Sequence, residues 1–429
     1  MKLTCFATAL FAAGAMYAQP TLEKAQPALE ETIQSVRARS AQLKDILLRQ
    51  MPALRNANVS GSAVWGQDFL FAVNVPGGKA PTLVLNDGVG VPMLRTDETS
   101  DIWYRLEKMR TGVTYGYQIM ADGKALAPRA DLVGYNPDSY AKAGVAQGKL
   151  SEKFVLTSKI YEGMKADYWV YASPGVDAST PAPLMVWQDG QGLINRNQGM
   201  RLFTVTENLI AQKLMPPTVY VLIAPGFTPD NKAMRAIEYD TVTNKYTNFL
   251  MKEVLPEVER MYKLRGDGYS RAIGGSSSGA ICAFTSGWFH PELFSRIHSG
   301  VGSFTSIQWR PEEKLDGGNL YPFKVRKEPK RNIRVWMSDG ADDLENNHGS
   351  WPLQNIQLAN SLKMRDYDFH FRFGTAAHNG SQASLDLPES LAWLWRGYDP
   401  AKTEEIYRMD PAEKEKPYYR VKISNREAW

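Results

Sequence analysis

The stretch Tyr269-Ser270-Arg271-Ala272-Ile273-Gly274-Gly275-Ser276-Ser277-Ser278-Gly279-Ala280-Ile281-Cys282-Ala283-Phe284 decides how the chain is read. Its first six residues suit a short strand and Ala280 onward suits a helix, with only glycine and serine between them. Gly275-x-Ser277-x-Gly279 has the spacing of a nucleophile elbow. In an elbow the serine sits on a sharp, strained turn, and side chains two residues to either side would collide. The helix that follows aims its first N–H groups at the serine, which favours developing negative charge. Ser277 is therefore the candidate nucleophile. Ser276 and Ser278 flank it and have an ordinary reading as packing or hydrogen-bonding residues.

Working outward, residues 153–398 alternate strand-like and helix-like segments. Tyr168-Trp169-Val170-Tyr171, Leu184-Met185-Val186-Trp187, Val219-Tyr220-Val221-Leu222-Ile223 and Val335-Trp336-Met337 read as buried strands. Residues 246–262 and 351–364 read as helices. This alternation argues for an α/β fold, a mostly parallel sheet with helices on both faces. Such a sheet presents its chemistry at the carboxyl ends of its strands.

A base is sought there among five histidines. His378 follows the strand Phe369-His370-Phe371-Arg372-Phe373 directly, in a loop over 374–380, before a helix over 387–395, and is the candidate base. His348 in the polar loop Asn346-Asn347-His348-Gly349 is the alternative. His290 reads as a helix-end residue, His298 as core, and His370 as a structural strand residue. After Val335-Trp336-Met337 come Asp339, Asp342, Asp343 and Glu345, so the chain order is serine, acid, histidine. Residue chemistry leaves these four carboxylates unseparated, and an exposed acidic loop is the ordinary reading for any three. The turn Gln188-Asp189-Gly190-Gln191-Gly192 after the strand 184–187 is placed to supply a backbone donor to an oxyanion, alongside the N–H of Ser278. An ordinary glycine-rich turn is the alternative there.

The rest of the 429 residues is organised differently. Residues 1–18 have Lys2, an apolar run and Ala15-Met16-Tyr17-Ala18, the pattern of a signal peptide cleaved near Ala18; a secreted or periplasmic location is expected. Residues 19–57 form a helical spacer, with Leu29, Ile33, Val36, Leu43, Ile46 and Leu47 near the spacing of one amphipathic helix over 27–51. Residues 58–140 hold short strands divided by Pro76-Gly77-Gly78, Asn86-Asp87-Gly88 and Asp122-Gly123, which suits a β-sandwich. The 153–398 domain is then followed by a polar tail over 399–429.

Composition narrows the function classes. A net charge of +4 from 50 Lys+Arg and 46 Asp+Glu excludes an electrostatically driven nucleic-acid binder. Two cysteines, Cys5 in the leader and Cys282, exclude a disulfide scaffold and a thiolate metal cage. No later segment reads as a membrane span. No phosphate-binding glycine loop, zinc pattern or nucleotide fingerprint occurs, so no metal or organic cofactor is implied.

Taken in order, the segments 273–279, 339–346 and 374–380, with Arg235-Ala236-Ile237-Glu238-Tyr239 and Val186-Trp187-Gln188-Asp189-Gly190, resemble the esterase D family of α/β-hydrolases. The similarity is to enterochelin esterase-like and feruloyl esterase-like members. The run 106–123, with Gly112-Val113-Thr114-Tyr115-Gly116-Tyr117, resembles the early-set, immunoglobulin-like sandwich that precedes the hydrolase in such enzymes. The resemblance implies an α/β-hydrolase fold. It also implies an acid three residues after Gly340, hence Asp343 with Asp342 as second choice, and Gln191 as the second oxyanion donor. Ala376-Ala377 departs from the family, whose members tend to carry glycines before the histidine. The implied activity is serine ester hydrolysis on a small-molecule or polysaccharide ester. A carbohydrate-linked ester of feruloyl or acetyl type is expected first, with Trp309 and Trp351 as candidate stacking residues, and a siderophore ester second. A carbohydrate-binding protein with an inactive hydrolase domain is the rival from another class.

Overall fold

The computed structural model describes residues 26–421 apart from 78, 197 and 198, so the expected leader lies outside the described residues. The chain divides into two compact units. Of the described residues, 26–84, 88–108 and 118–128 form the first, and 85–87, 109–117 and 129–421 the second.

The first unit opens with α1 (Gln26–Arg37) and α2 (Leu43–Gln50), two helices where the periodicity suggests one. The break is at Arg39, whose φ of 49° is left-handed and cannot continue a helix. Leu29, Ile33, Val36, Leu43, Leu47, Met51 and Leu54 pack on Ala63, Leu70, Ala72, Ile102 and Tyr104. The helical segment is thus part of a core rather than only a spacer. The strands it covers are β1 (Ser60–Trp65) and β2 (Asp68–Asn74), which form an antiparallel sheet with two later strands. Next come β3 (Thr82–Leu85) and β4 (Val91–Pro92), an antiparallel pair, then β5 (Leu94–Arg95) and β6 (Ile102–Lys108), which complete the order β1-β2-β6-β5. The strand β7 (Val113–Ala121) turns into β8 (Lys124–Ala125) through Asp122 and Gly123, both at positive φ, as an Asp-Gly hairpin requires.

In the second unit β9 (Ala130–Gly134) pairs antiparallel with the first half of β7, from Val113↔Gly134 to Tyr117↔Ala130. A nine-stranded sheet follows. It comprises β10 (Lys149–Leu150), β11 (Phe154–Thr157), β12 (Lys165–Ala172), β13 (Leu184–Gln188), β14 (Val219–Ile223), β15 (Arg271–Ser276), β16 (Arg296–Gly300), β17 (Arg334–Asp342) and, after the short pair β18 (Glu345–Asn346) and β19 (Gly349–Ser350), β20 (Asp368–Ala377). The order is β10-β12-β14-β13-β15-β16-β17-β20 with β11 on β12, and every pairing from β14 to β20 is parallel.

Strand alternation divides the core in two. Leu184, Val186, Val219, Val221, Ile273, Val335 and Met337 belong to one cluster, and Met185, Trp187, Tyr220, Leu222, Ala272 and Trp336 to the other. The second face is covered by α3 (Leu202–Ala211) and a late helix. The first is covered by α5 (Lys245–Phe249), α6 (Leu255–Glu259), α7 (Ser278–Phe289), α8 (Tyr321–Lys327) and α9 (Trp351–Met364), after a short α4 (Arg235–Tyr239). The late helix is α10 (Ser381–Trp395), whose Leu387, Leu391 and Leu394 face Trp336. From β13 the chain goes to β14 on one side and later to β15 on the other, so the strand order reverses at β13 and opens a crevice at its carboxyl end.

The polar tail is a correction. Tyr407 and Met409 are buried, the Tyr407 hydroxyl lies 2.9 Å from Ser295 Oγ, and α11 (Pro411–Glu415) is held by Lys363 Nζ on the Glu413 carbonyl. Buried Arg296 stacks against Tyr269, Trp395, Tyr398 and Tyr407, a cage assembled from unspaced tyrosines that show no periodicity. No described helix is long and apolar enough to cross a membrane.

Candidate active site

β15 ends at Ser276 and α7 begins at Ser278, leaving Ser277 alone at the corner with φ 59° and ψ −124°. A Cβ on Gly275 would lie 2.5 Å from the Gly279 carbonyl carbon, so only glycine fits there. A Cβ on Gly279 would lie 3.0 Å from Gln188 Cβ, because this corner and the turn after β13 meet.

Ser277 Oγ is 2.8 Å from His378 Nε2, and His378 Nδ1 is 2.5 Å from Asp343 Oδ1. A carboxylate only accepts, so Nδ1 carries the proton and Nε2 accepts from the serine. Asp343 has a fully buried side chain and is the acid of this chain of bonds. Asp342, the second choice, pairs instead with Arg129.

Pairing, not loop length, brings acid and base together. β17 and β20 run further than the apolar pattern suggests, pairing as far as Asp342↔Ala377 across a register shift between Gly340 and Asp342. Residues 374–377, expected in a loop, are strand, and α10 begins at Ser381 rather than 387. Ala376-Ala377 therefore sits in a ladder where glycines are not needed. His348 lies elsewhere in the hydrogen-bond network, its carbonyl accepting from Ser306 N and Oγ, both at 2.9 Å. His298 is buried 3.2 Å from Ser390 Oγ, and burial pushes it down to about 3. His370 stacks on Trp336 at 4.4 Å, and His290 bonds Glu292.

Two more residues complete the site: Asp339, one of the four carboxylates the sequence left unseparated, and Ser303, which sequence reasoning missed. Asp339 is fully buried, and its Oδ1 accepts from the Gly340 N–H at 2.8 Å. Burial and then the neighbouring Asp343 push the Asp339 carboxyl well up, which favours its neutral form beside Asp343. The Oδ2 atoms of both residues are buried and have no hydrogen-bond partner. Ser303 Oγ lies 3.2 Å from Ser277 Oγ and accepts from Trp351 Nε1 at 3.1 Å. An indole N–H only donates, so the Ser303 proton is directed at Ser277 and the Ser277 proton at His378. Trp351 is only 2% exposed and meets the His378 ring edge-on at 5.5 Å, so it supports the base instead of offering a stacking face. Trp309 is 48% exposed.

Ser278 heads α7, where N–H groups have no partner one turn back, and Gln191 sits in the 3₁₀ turn Gly190–Gly192. β13 and β15 are parallel neighbours, Trp187 beside Gly274, so both segments leave the sheet at one edge. Asp189, at φ 56°, holds this turn through Arg235, which donates to its two carboxylate oxygens at 2.9 and 2.8 Å. Burial pushes the Asp240 carboxyl up to about 7, and neither of its oxygens has a hydrogen-bond partner. Cys282 is buried beneath, its thiol pushed well up by desolvation, and is core.

Residues 162–393, more than half of the chain, match the Esterase family. The iron(III) enterobactin esterase of Dickeya dadantii (strain 3937) is 22% identical over 247 residues, 54% of this chain and 52% of that protein. The chain thus spans about half the length of that curated relative. Among solved structures, the enterobactin esterase of Shigella flexneri superposes with a TM-score of 0.54 at 17% identity, covering 81% of this chain and 98% of that one. The ferric enterobactin esterase of Salmonella typhimurium gives 0.53 at 15%, covering 80% and 98%. On the matched residues the chain belongs to the Esterase family.

Proposed function

We propose that the chain is a serine carboxylic-ester hydrolase in which Ser277, His378 and Asp343 act as a triad. The observation that carries this is the unbroken, directed chain from Ser277 Oγ to His378 Nε2 and from His378 Nδ1 to Asp343. His378 takes the serine proton as Oγ attacks the ester carbonyl, and Asp343 orients the ring and stabilises its cation. The N–H groups of Ser278 and Gln191 receive the oxyanion. His378 then protonates the leaving alcohol, and water deacylates the enzyme by the reverse route. A decayed hydrolase domain that only binds carbohydrate has no need to keep this set, so the set favours the enzyme.

For the substrate, the enterobactin esterase relative favours a siderophore-type ester. A carbohydrate-linked feruloyl or acetyl ester is the second reading, favoured by half-exposed Trp309, with Trp351 withdrawn from it by burial. The strands of 58–140 are read as an early-set sandwich, and export with cleavage near Ala18 belongs to the same proposal. The test is Ser277→Ala beside the unaltered protein. Fluorophosphonate labelling and hydrolysis of 4-nitrophenyl acetate should both vanish, and retained labelling would show the elbow wrongly read. A panel of a catecholate siderophore, methyl ferulate and acetylated xylan separates the substrate readings.

A further inference from the structure

Just ahead of the nine-stranded sheet, the strand β9 and the residue before it meet both loops that carry the acid and the base. Asp131 Oδ2 accepts from the Ala377 N–H at 3.0 Å and from Asn379 Nδ2 at 2.9 Å, so one carboxylate oxygen brackets His378 from the residue before it and the residue after it. Arg129, two residues back and therefore on the same face of an extended chain, pairs with Asp342, the residue before Asp343. Asp342 and Ala377 are themselves paired across β17 and β20. Residues 129 and 131 thus hold two opposed positions of the ladder, each one step before a triad residue.

The local sequence is shaped for this. Gly116 is the partner of Asp131 on β7, and a Cβ there would run into the Arg129 guanidinium, which lies across the strand at that point. Beyond β9, Asn136 Nδ2 bonds the Leu385 carbonyl at 3.2 Å, fixing the segment to α10, the helix that His378 leads into.

We propose that Asp131 and Arg129 are positioning residues that hold the His378 and Asp343 loops in register for proton transfer. This rests on the reading of Ser277, His378 and Asp343 as a triad. Neither residue touches the reacting atoms. Asp131 acts as a double acceptor that sets the direction of the His378 turn, and Arg129 keeps Asp342 out of competition for the imidazole. The acceptor, not the charge, is what the turn needs from Asp131.

The test uses the full chain with Asp131→Ala, Asp131→Asn and Ser277→Ala. Asp131→Ala should lower kcat on 4-nitrophenyl acetate by about tenfold or more with KM within about threefold, as expected when a group is misplaced and not lost. It should also abolish the downfield proton resonance of His378 Nδ1–H. Asp131→Asn keeps an acceptor oxygen and should restore both. Wild-type kcat and an intact ring resonance in Asp131→Ala would overturn the proposal. If Asp131→Ala does not fold, Gly116→Ala decides, since it crowds Arg129 off Asp342. A fall in kcat of about threefold or more is expected, and an unchanged kcat overturns the proposal. Hydrolysis surviving in Ser277→Ala would instead bring down the triad reading, while the ring resonance, which needs no turnover, still reports on the hold over His378.

Discussion

Replacing Asp339 by asparagine tests whether the triad carboxylate is served by a neutral acid. Asp339 has no exposure, and its carboxyl is pushed up to about 9 by burial and by Asp343. In the unfolded chain an aspartate titrates near 3.9, so the folded form holds a proton that the unfolded form has released over most of the pH scale. A group whose folded value lies above its unfolded value contributes its full stability below the unfolded value, and that stability is lost as pH rises through the folded one. Stability from Asp339 therefore falls as pH rises above the ordinary carboxylate range, by at most about 1.4 kcal/mol per unit while the folded group keeps its proton.

Asparagine reproduces the geometry without the titration. Its Oδ1 can accept from the Gly340 N–H, and its amide can donate to the neighbouring Asp343 carboxylate. Urea denaturation of both proteins from pH 5 to pH 9 should give curves that diverge by about 1.4 kcal/mol per unit, the variant being the more stable at high pH. Glu238, Asp240 and Asp386, raised to about 7 by burial, slope both curves alike and cancel in the difference. Activity at neutral pH should stay within about tenfold, because Asp343 keeps a donor. Parallel curves would refute the reasoning, for they would mean that Asp339 is already ionised beside Asp343.

Three further outcomes follow from the same geometry. Ser303→Ala leaves Trp351 Nε1 unsatisfied and removes the donor that orients Ser277, so kcat should fall about tenfold with little change in KM; unchanged kcat would deny Ser303 that part. Gly275→Ala should cost about 2 kcal/mol or more, read as a drop in Tm, because its Cβ meets backbone at 2.5 Å, while Gly279→Ala meets a side chain at 3.0 Å and should cost less. Equal losses would show that close approach is not what selects glycine at 275. Leu47→Ala should destabilise the first unit by about 2–5 kcal/mol, since Leu47 is fully buried against the β1-β2-β6-β5 sheet. An unmoved denaturation midpoint would return α1 and α2 to the status of a spacer.

How far the sequence could be read depends on how far apart the deciding atoms lie along it. The elbow was legible because its cause is steric and contained in five residues, Gly275 to Gly279, where one Cβ has no room. The sheet was legible because a strand covered on both faces is continuously apolar, as Val219 to Ile223 is, and β14 has those bounds. Arg39 carries no breaker signature, so two helices read as one. The choice of Asp343 over Asp342 and Asp339 was beyond residue chemistry, because the register shift in the β17–β20 ladder decides which carboxylate meets His378. The resemblance, not the spacing, pointed to it.

Asp131 shows the limit most clearly. It lies 246 residues from Ala377, in a segment whose pattern speaks only of strands and turns, and an isolated aspartate before Leu132-Val133 has no local oddity to mark it. What makes it matter is that its carboxylate reaches the Ala377 N–H and Asn379 Nδ2 while nearby Arg129 reaches Asp342, contacts that no local pattern announces. Local rules therefore locate the nucleophile, whose strain is its own. They also point to His378 from its place after the last strand, but lose the acid, whose position is set by the register of the β17–β20 ladder. A histidine on a turn of three residues, His378 to Gly380, has little freedom, so the hold that Asp131 exerts on both flanks is enough to set where its ring points.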